Sequence, residues 1–235
     1  MVPLFWRSGL ASRHISDINS EMGDLSRDDL LELLGLNSAL LDRRVADRQA
    51  AFAYGTELSA KHGSYLPLDV VAMGLVDAFA GVLGRDRAAD FVRLNCDEWF
   101  IAIVSAEWDA PGPYYFAALM QLGFAGKKEK GCVGLHGTLE DIAGVCRHVF
   151  PVTTLMAVNI DEMLSEIHAR SRKLGVPLPE KFTPQPGTPA YERLRDTIKE
   201  YRALAASRLK AKGRRPKRAP SDLVRPAKKK QRERA

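Results

Sequence analysis

The sequence is poor in cysteine and has no long uninterrupted hydrophobic stretch. Its 235 residues include only 3 cysteines, which argues against a disulfide framework and fits a reducing cytosol. No apolar run reaches the length needed to span a bilayer, so we expect no membrane partner. The first residues have a short apolar start without the hydrophobic region of a secretory signal, and we therefore expect a cytoplasmic protein.

The sequence also lacks a complete catalytic motif, and we expect neither an enzyme nor a bound cofactor. Glu98, Glu107 and Asp109 have no histidine nearby in sequence, which favours surface charge over acid–base chemistry. The glycine- and lysine-containing segment 123–128 lacks the spacing of a phosphate-binding loop. Several aromatic residues suit core packing more often than base stacking, namely Trp99, Trp108, Tyr114, Tyr115 and Phe116.

Cysteine and histidine, the usual zinc ligands, are scarce, and the best set is Cys132, His136, Cys146 and His148. Thiolate and imidazole ligands would suit zinc. The second pair is separated by one residue, which places the two side chains on different faces of a helix, and zinc fingers use other spacings. We expect no metal site. Cys96 stands beside two acidic residues, which would raise the pKa of its thiol and not activate it.

Positive charge is concentrated at the C-terminal end of the chain. Residues 208–235 contain thirteen Lys or Arg and two acidic residues, a local charge of +11, whereas the rest carries −5. With several prolines and few apolar side chains, this region cannot bury enough surface to fold, and we predict a disordered tail over 210–235. Such a tail binds polyanions without reading sequence. The alternative is a solvated tail that aids solubility.

The segment from Ser26 to Val45 has the pattern of two short amphipathic helices joined by a turn. Ser26 and Asp29 have the spacing of a capping box at the start of the first helix. Gly35 suits the left-handed conformation that ends a helix. The apolar side chains expected to face inward from this helix and the turn are Leu30, Leu33, Leu34 and Leu36.

The second helix is predicted to begin after a cap at Asn37 or Ser38. Leu41 and Val45 are one turn apart and are expected to be buried, with Leu40 beside them. Arg44 is expected on the flank and Arg48 towards the buried side, with its charged end in solvent. At about 100° per residue, the face opposite Leu41 consists of Ala39, Asp42, Arg43, Ala46 and Asp47.

The order of elements after this segment resembles a known family. A short hairpin or wing ends in an aromatic residue such as Tyr65, and the next helix, Val70–Leu83, opens with Asp69-Val70. Over roughly Asp24 to Leu83 the chain resembles the winged helix-turn-helix domain of bacterial or phage MerR-like transcriptional regulators. The resemblance implies double-stranded DNA as partner, a dimer formed through a C-terminal helix, and a separate region for dimerisation or for an effector, which stays unknown. Ala39 and Asp42 stand where that family commonly has basic residues.

The remainder predicts a small α+β domain, so the fold class is α+β. Its expected elements are a helix Arg87–Leu94, a strand Glu98–Ser105, a turn Asp109–Pro113, a strand Tyr114–Leu122, a loop Gly123–Gly137, a helix from a Thr138–Asp141 capping box to His148, a strand Val152–Val158, and a helix Ile160–Leu174 that Asn159 caps and Gly175 closes. After a proline-rich linker, Thr188 and Pro189 begin an amphipathic helix, Tyr191–Leu209. The expected units are 1–23 (N-terminal arm), 24–95 (winged helix-turn-helix), 96–176 (small α+β domain), 177–209 (linker and helix) and 210–235 (tail).

These features predict a DNA-binding transcriptional regulator that reads DNA with the Ser38–Gln49 helix, assisted by the basic tail. The residues expected to contact DNA are Ser38, Arg43, Arg44, Arg48, Lys61, His62, Arg214, Arg215, Lys217, Arg218, Lys228, Lys229 and Lys230. The alternative is a non-enzymatic protein-interaction adaptor, in which the two helices are a plain hairpin and the tail binds nucleic acid nonspecifically.

Overall fold

The computed structural model describes residues 23–53, 63–108, 112–121, 131–149 and 154–213. Helices predominate and the strands form small antiparallel sheets, which confirms the α+β class. The elements are β1 (Leu25–Ser26), α1 (Arg27–Leu34), α2 (Ser38–Ala46), β2 (Ser64–Tyr65), α3 (Pro67–Leu83), α4 (Arg85–Leu94), α5 (Cys96–Trp108), β3 (Tyr115–Gln121), β4 (Gly131–Gly137), α6 (Leu139–Val149), β5 (Thr154–Asn159), α7 (Ile160–Leu174) and α8 (Pro189–Gly213).

The chain forms two compact units, Met1–Thr197 and Ile198–Ala235. The first contains every element from β1 to the beginning of α8. Within the described part of the second, the backbone is helical up to Gly213, so α8 extends past the predicted end at Leu209 and into the region predicted as disordered tail. Residues 214–235 lie outside the described residues.

Helix α1 begins and ends as its sequence predicts. The hydroxyl of Ser26 accepts a hydrogen bond from the Asp29 amide (3.1 Å), and the Asp29 carboxylate accepts one from the Ser26 amide (3.2 Å). Gly35 has φ +64° and ends the helix, because this left-handed conformation costs glycine little. Both the capping box and the glycine stop are confirmed. The apolar face of α1 is buried against Leu41, Tyr65 and Met73, among others.

Helix α2 is rotated relative to its predicted orientation. Asn37 caps it by accepting a hydrogen bond from the Leu40 amide (2.8 Å), and Leu41 is fully buried. The predicted burial of Val45 and Leu40 is wrong, since they are 42% and 38% exposed. Arg44, which lies about 60° to the other side of Leu41 from Val45, is buried instead. An acidic partner on α3 accounts for this rotation.

Strands β1 and β2 form a short antiparallel ladder that pairs Leu25 with Tyr65 and Ser26 with Ser64. The segment before α1 is thereby joined to the segment before α3. Residues 54–62, which include most of the predicted wing, lie outside the described residues. Tyr65, predicted to end the wing, is 1% exposed and packs in the same core as Leu30 and Leu41.

Helix α3 begins earlier than predicted, with Pro67 in its first turn. The carboxylate of Asp69 is buried and accepts hydrogen bonds from the amides of Leu66 (2.8 Å) and Ala53 (2.6 Å). This one side chain caps α3 and holds the segment that follows α2. The predicted helix Arg87–Leu94 is confirmed as α4, which starts two residues earlier and packs against α3.

The predicted strand Glu98–Ser105 is wrong, because these residues lie within helix α5. Every one of them is buried, including Trp99 and Phe100 at 1% exposure each. A helix buried on all sides has no polar face and therefore no 3.6-residue period. Its run of aromatic and β-branched residues consequently looks like a buried strand in the sequence.

The main sheet has three antiparallel strands in the order β4-β3-β5. The strand predicted over Tyr114–Leu122 is confirmed as β3, and the one over Val152–Val158 as β5 within the described residues. The predicted loop is wrong over Gly131–Gly137, which forms β4. Glycine is uncommon in strands, so the glycines of this segment favoured the prediction of a loop. One of them, Gly134, is required by close packing, since a Cβ there would lie 2.5 Å from Oδ1 of Asn95.

Phe116 of β3 joins the sheet to the helices above it. Its ring stacks on Phe91 of α4 (centroids 5.3 Å apart) and meets Phe79 of α3 edge to face (5.6 Å). The core role expected for Phe116 and Trp99, as opposed to base stacking, is therefore confirmed.

The remaining caps agree with the sequence. Thr138 and Asp141 form a reciprocal pair before α6, Asn159 caps α7, and Gly175 ends it with φ +73°. Thr188 caps α8. The proline-rich stretch before α8 is not a free linker, because Phe182 is fully buried.

Candidate nucleic-acid interface

The side of α2 opposite Leu41 is exposed, as predicted. Ala39, Asp42, Arg43, Ala46 and Asp47, which we call the outer face of α2, are all solvent-exposed. The side chain of Arg43 is 79% exposed and its Nε lies 3.5 Å from Asp47 one turn on. This loose surface pair leaves the Arg43 guanidinium accessible to a ligand.

Arg27, which the sequence did not indicate as a site residue, lies against the first turn of α2. Its Nη2 contacts the Asp42 carboxylate (2.5 Å) and donates to the Ser38 hydroxyl (2.9 Å). The hydrogen bond to Asp42 raises the pKa of Arg27. Ser38 is exposed as predicted and is one of the two residues that Arg27 holds. No sequence spacing relates the first residue of α1 to the first turn of α2, so only the fold brings them together.

The position predicted for Arg44 is wrong. Its side chain is 9% exposed, and its Nη1 lies 3.4 Å from the Asp77 carboxylate of α3. Asp77 also pairs with Arg85. The Nε of Arg44 is buried without a hydrogen-bond partner among the described residues. Arg44 therefore anchors α2 from within, and we no longer place it at the interface.

Arg48 lies just past the end of α2, which stops at Ala46 and not at Gln49. Arg48 has φ +57°, a conformation rare for residues other than glycine, and its side chain is exposed. Its carbonyl oxygen accepts a hydrogen bond from Arg93 of α4 (3.4 Å). This bond fixes the backbone turn from which the Arg48 side chain extends.

The other predicted contact residues, Lys61, His62, Arg214, Arg215, Lys217, Arg218, Lys228, Lys229 and Lys230, lie outside the described residues. At the described interface Asp42 and Asp47 offset Arg27 and Arg43, which leaves Arg48 as the excess positive charge. The interface is therefore nearly neutral, and any strong electrostatic affinity must come from another part of the chain.

Comparisons of the chain with protein-family models, curated proteins and solved structures found no significant match. Within the described ranges, no helix combines the length and the apolar character needed to cross a membrane.

Glu98 is not the surface acid that the sequence predicted. It is 6% exposed on α5, and its Oε2 lies 2.5 Å from Nδ1 of His136 on β4. Asn95, next to the start of α5, accepts a hydrogen bond from the Gly134 amide (3.1 Å). The contacts fasten α5 to β4 at two points. The partner histidine is distant in sequence, which is why spacing could not reveal the pair.

Glu107, also predicted as a surface acid, is half-buried near the end of α5. Its carboxylate accepts hydrogen bonds from the Phe182 amide (2.8 Å) and from the Thr183 hydroxyl. Burial raises the pKa of Glu107, although both hydrogen bonds act in the opposite direction. Trp108 donates to the same Thr183 (2.9 Å) and packs on Tyr191 of α8. This cluster fixes the segment before α8 and its first turn. Asp109 lies outside the described residues.

Among the described side chains, the cysteines and histidines do not form a shared set of metal ligands. Cys132 and His136 both lie on β4, four residues apart, and His136 is engaged by Glu98. Burial raises the pKa of the Cys132 thiol to about 11, so this thiol is protonated at neutral pH. Across the ranges that the structure describes, no three His, Cys, Asp or Glu side chains could hold a metal ion together.

Proposed function

We propose that the protein binds double-stranded DNA as a transcriptional regulator, with the outer face of α2 entering the major groove. The observation that carries the proposal is the exposure of this face on a helix whose opposite face is anchored. A major groove admits one α-helix, and the groove-facing side chains must be accessible before binding. The MerR-like resemblance of the same segment is consistent with the proposal.

A rigid support for α2 is the second argument. Leu41 holds the helix in the core, Arg44 pairs with Asp77, and Asn37 caps its start. The β1–β2 ladder closes the same unit. A helix held in this way loses little conformational freedom when it binds, which favours affinity.

Two separate roles follow for the basic residues. We expect Arg43, in the middle of the outer face, and Arg27, beside Ser38 at the start of α2, to contact bases or phosphates. The nearly neutral interface supplies little nonspecific attraction, whereas the +11 region at 208–235 supplies much. The interface would therefore select the sequence and the tail would raise the affinity.

The experiment is a selection of DNA duplexes from a random library with the full chain, followed by fluorescence anisotropy on the enriched duplex. Arg43→Glu should weaken binding to the enriched duplex much more than binding to a scrambled one. Arg87→Glu, which makes the same charge change on the exposed surface of α4, is the matched control. Failure to enrich any sequence, or equal losses in the two variants, would contradict the proposal.

An adaptor that binds a protein through α2 is the second candidate. The exposure of Leu40 and Val45 on either flank of the outer face favours it, since apolar side chains are suited to protein contacts. Removal of residues 214–235 separates the two functions. An adaptor would lose all nucleic-acid binding with the tail, whereas a DNA reader would keep a preference for the enriched duplex.

A further inference from the structure

A cleft of about 470 Å³ lies between α1, α3 and α7, and we call it the α1–α3–α7 cleft. Its volume is within the range of small-molecule sites, roughly 300–1,000 Å³. Leu33, Val70 and Ile167 contribute apolar surface to its walls. It is formed entirely within the first compact unit, Met1–Thr197.

The polar lining of the cleft is predominantly acidic. Glu162 and Glu166 lie on successive turns of α7, line the cleft and are exposed. Neither forms an ion pair within the described part of the chain. Arg170 is the cationic residue in the lining, and its side chain extends to Gly35 at the end of α1. The approach is close, because a Cβ built on Gly35 would lie 2.6 Å from Nη2 of Arg170. Two carboxylates thus face the cleft without a protein cation between them.

The cleft also reaches the partner of Arg44. Asp77 lines it and pairs with Arg44 of α2 and with Arg85 of α4. Arg170 lies at the turn between α1 and α2. A molecule in the cleft therefore lies beside Asp77, which pairs with Arg44 of α2, and beside Arg170, which reaches the turn before α2.

We propose that the α1–α3–α7 cleft binds a small organic cation with an apolar body, such as an arylalkyl amine. The apolar body contacts Leu33, Val70 and Ile167 on one side, and the ammonium group lies between Glu162 and Glu166. Charge complementarity selects this class, because an anion would meet two uncompensated carboxylates and a neutral analogue would leave them without a counter-charge. Binding at the cleft does not depend on the proposed DNA function.

The test uses the full chain and three probes of one shape, namely phenylbutylamine, phenylbutanol and phenylbutyrate, in isothermal titration calorimetry. Phenylbutylamine should bind about tenfold more tightly than the alcohol, which is the effect of one charge-assisted contact. Phenylbutyrate should bind least. Absence of amine binding, or equal affinity for the amine and the alcohol, would overturn the proposal.

Two kinds of variant locate the site. Gly74 lines the cleft on α3, and Gly74→Leu should abolish amine binding by filling the space while favouring the helix. Glu162→Gln with Glu166→Gln should bring the amine to the affinity of the alcohol without changing the shape of the cleft. Glu140→Gln, an exposed carboxylate on α6, is the control and should leave binding unchanged. Amine binding that persists in both the filled and the neutralised variants would place the amine elsewhere and refute the site.

Discussion

The guanidinium of Arg44 on α2 lies 3.4 Å from the carboxylate of Asp77 on α3. The side chain of the arginine is 9% exposed, whereas that of the aspartate is 39% exposed and also contacts Arg85. The pair turns the inner side of α2 towards α3 and leaves Val45 and Leu40 outside. The ion pair thus explains why Arg44, and not Val45, lies on the inner side of α2 beside Leu41.

The two partners of this pair should respond unequally to substitution. Asp77→Asn leaves the Arg44 charge buried without its counter-ion and should lower the free energy of unfolding by about 1–3 kcal/mol. Arg44→Met removes the charge and keeps most of the packed volume, so its cost should be smaller. Urea unfolding of both variants measures which substitution lowers the free energy of unfolding more. A larger cost for Arg44→Met would mean that packing, and not charge, holds α2.

The turn between α1 and α2 offers a matched comparison of two glycines. Gly35 and Gly175 have φ +64° and +73°, and alanine in this region costs about 1–2 kcal/mol. A Cβ at Gly35 would also meet Arg170, whereas one at Gly175 would meet nothing within 4 Å. Gly35→Ala should therefore destabilise the protein more than Gly175→Ala, as measured by thermal unfolding. The additional destabilisation by Gly35→Ala should vanish when Arg170→Ala is added. If it persists, contact with Arg170 is not its cause.

The pH dependence of stability should include a contribution from Glu107. Burial raises its pKa in the folded protein, so folding favours proton uptake by this carboxyl. The contribution is fully present below the unfolded pKa and is lost as pH rises through the higher folded pKa. Glu107→Gln cannot ionise, so its stability relative to the native protein should increase as pH rises across that window. Denaturant titrations at a series of pH values measure this; a constant difference between the two proteins would contradict the raised pKa.

The tail should control the salt dependence of DNA binding, in a prediction that rests on the proposed function. The logarithm of affinity falls with the logarithm of salt by about 0.9 for each phosphate neutralised. Removal of residues 214–235 takes away ten Lys or Arg and should flatten this slope markedly. Arg43→Glu should change the slope little and reduce the preference for the enriched duplex. Anisotropy titrations at several salt concentrations separate the effects; an unchanged slope without the tail would show that the body supplies the phosphate contacts.

Local signals correctly predicted where several helices begin and end. The capping pairs at Ser26, Thr138 and Asn159, and the glycines at 35 and 175, act within one helical turn and need no tertiary context. The exposed outer face of α2 was likewise predicted from the period of its apolar residues. Such features are encoded by residues adjacent in sequence.

Long-range contacts explain what the sequence did not predict. Helix α5 has no polar face because the sheet and the neighbouring helices bury it on all sides. Strand β4 contains Gly134 because Asn95 approaches too closely for a larger residue. The inward position of Arg44, the pairing of Arg27 with Asp42 and the Glu98–His136 contact each join residues from different elements. Contacts of this kind do not appear as a spacing pattern in a single sequence. The exposure of the helix face was therefore predictable from one segment, whereas the burial of Arg44 and the position of Arg27 depend on the fold.

The carboxylate of Asp69 joins two backbone segments that are distant in sequence. Its carboxylate holds the amide of Ala53 on one side and that of Leu66 on the other, so the ends of the intervening stretch are fixed to the start of α3. Asp69 therefore couples the position of α2 to that of α3 through a single carboxylate. Loss of that carboxylate would let the two helices shift against each other and would displace the outer face of α2 without altering any residue on it.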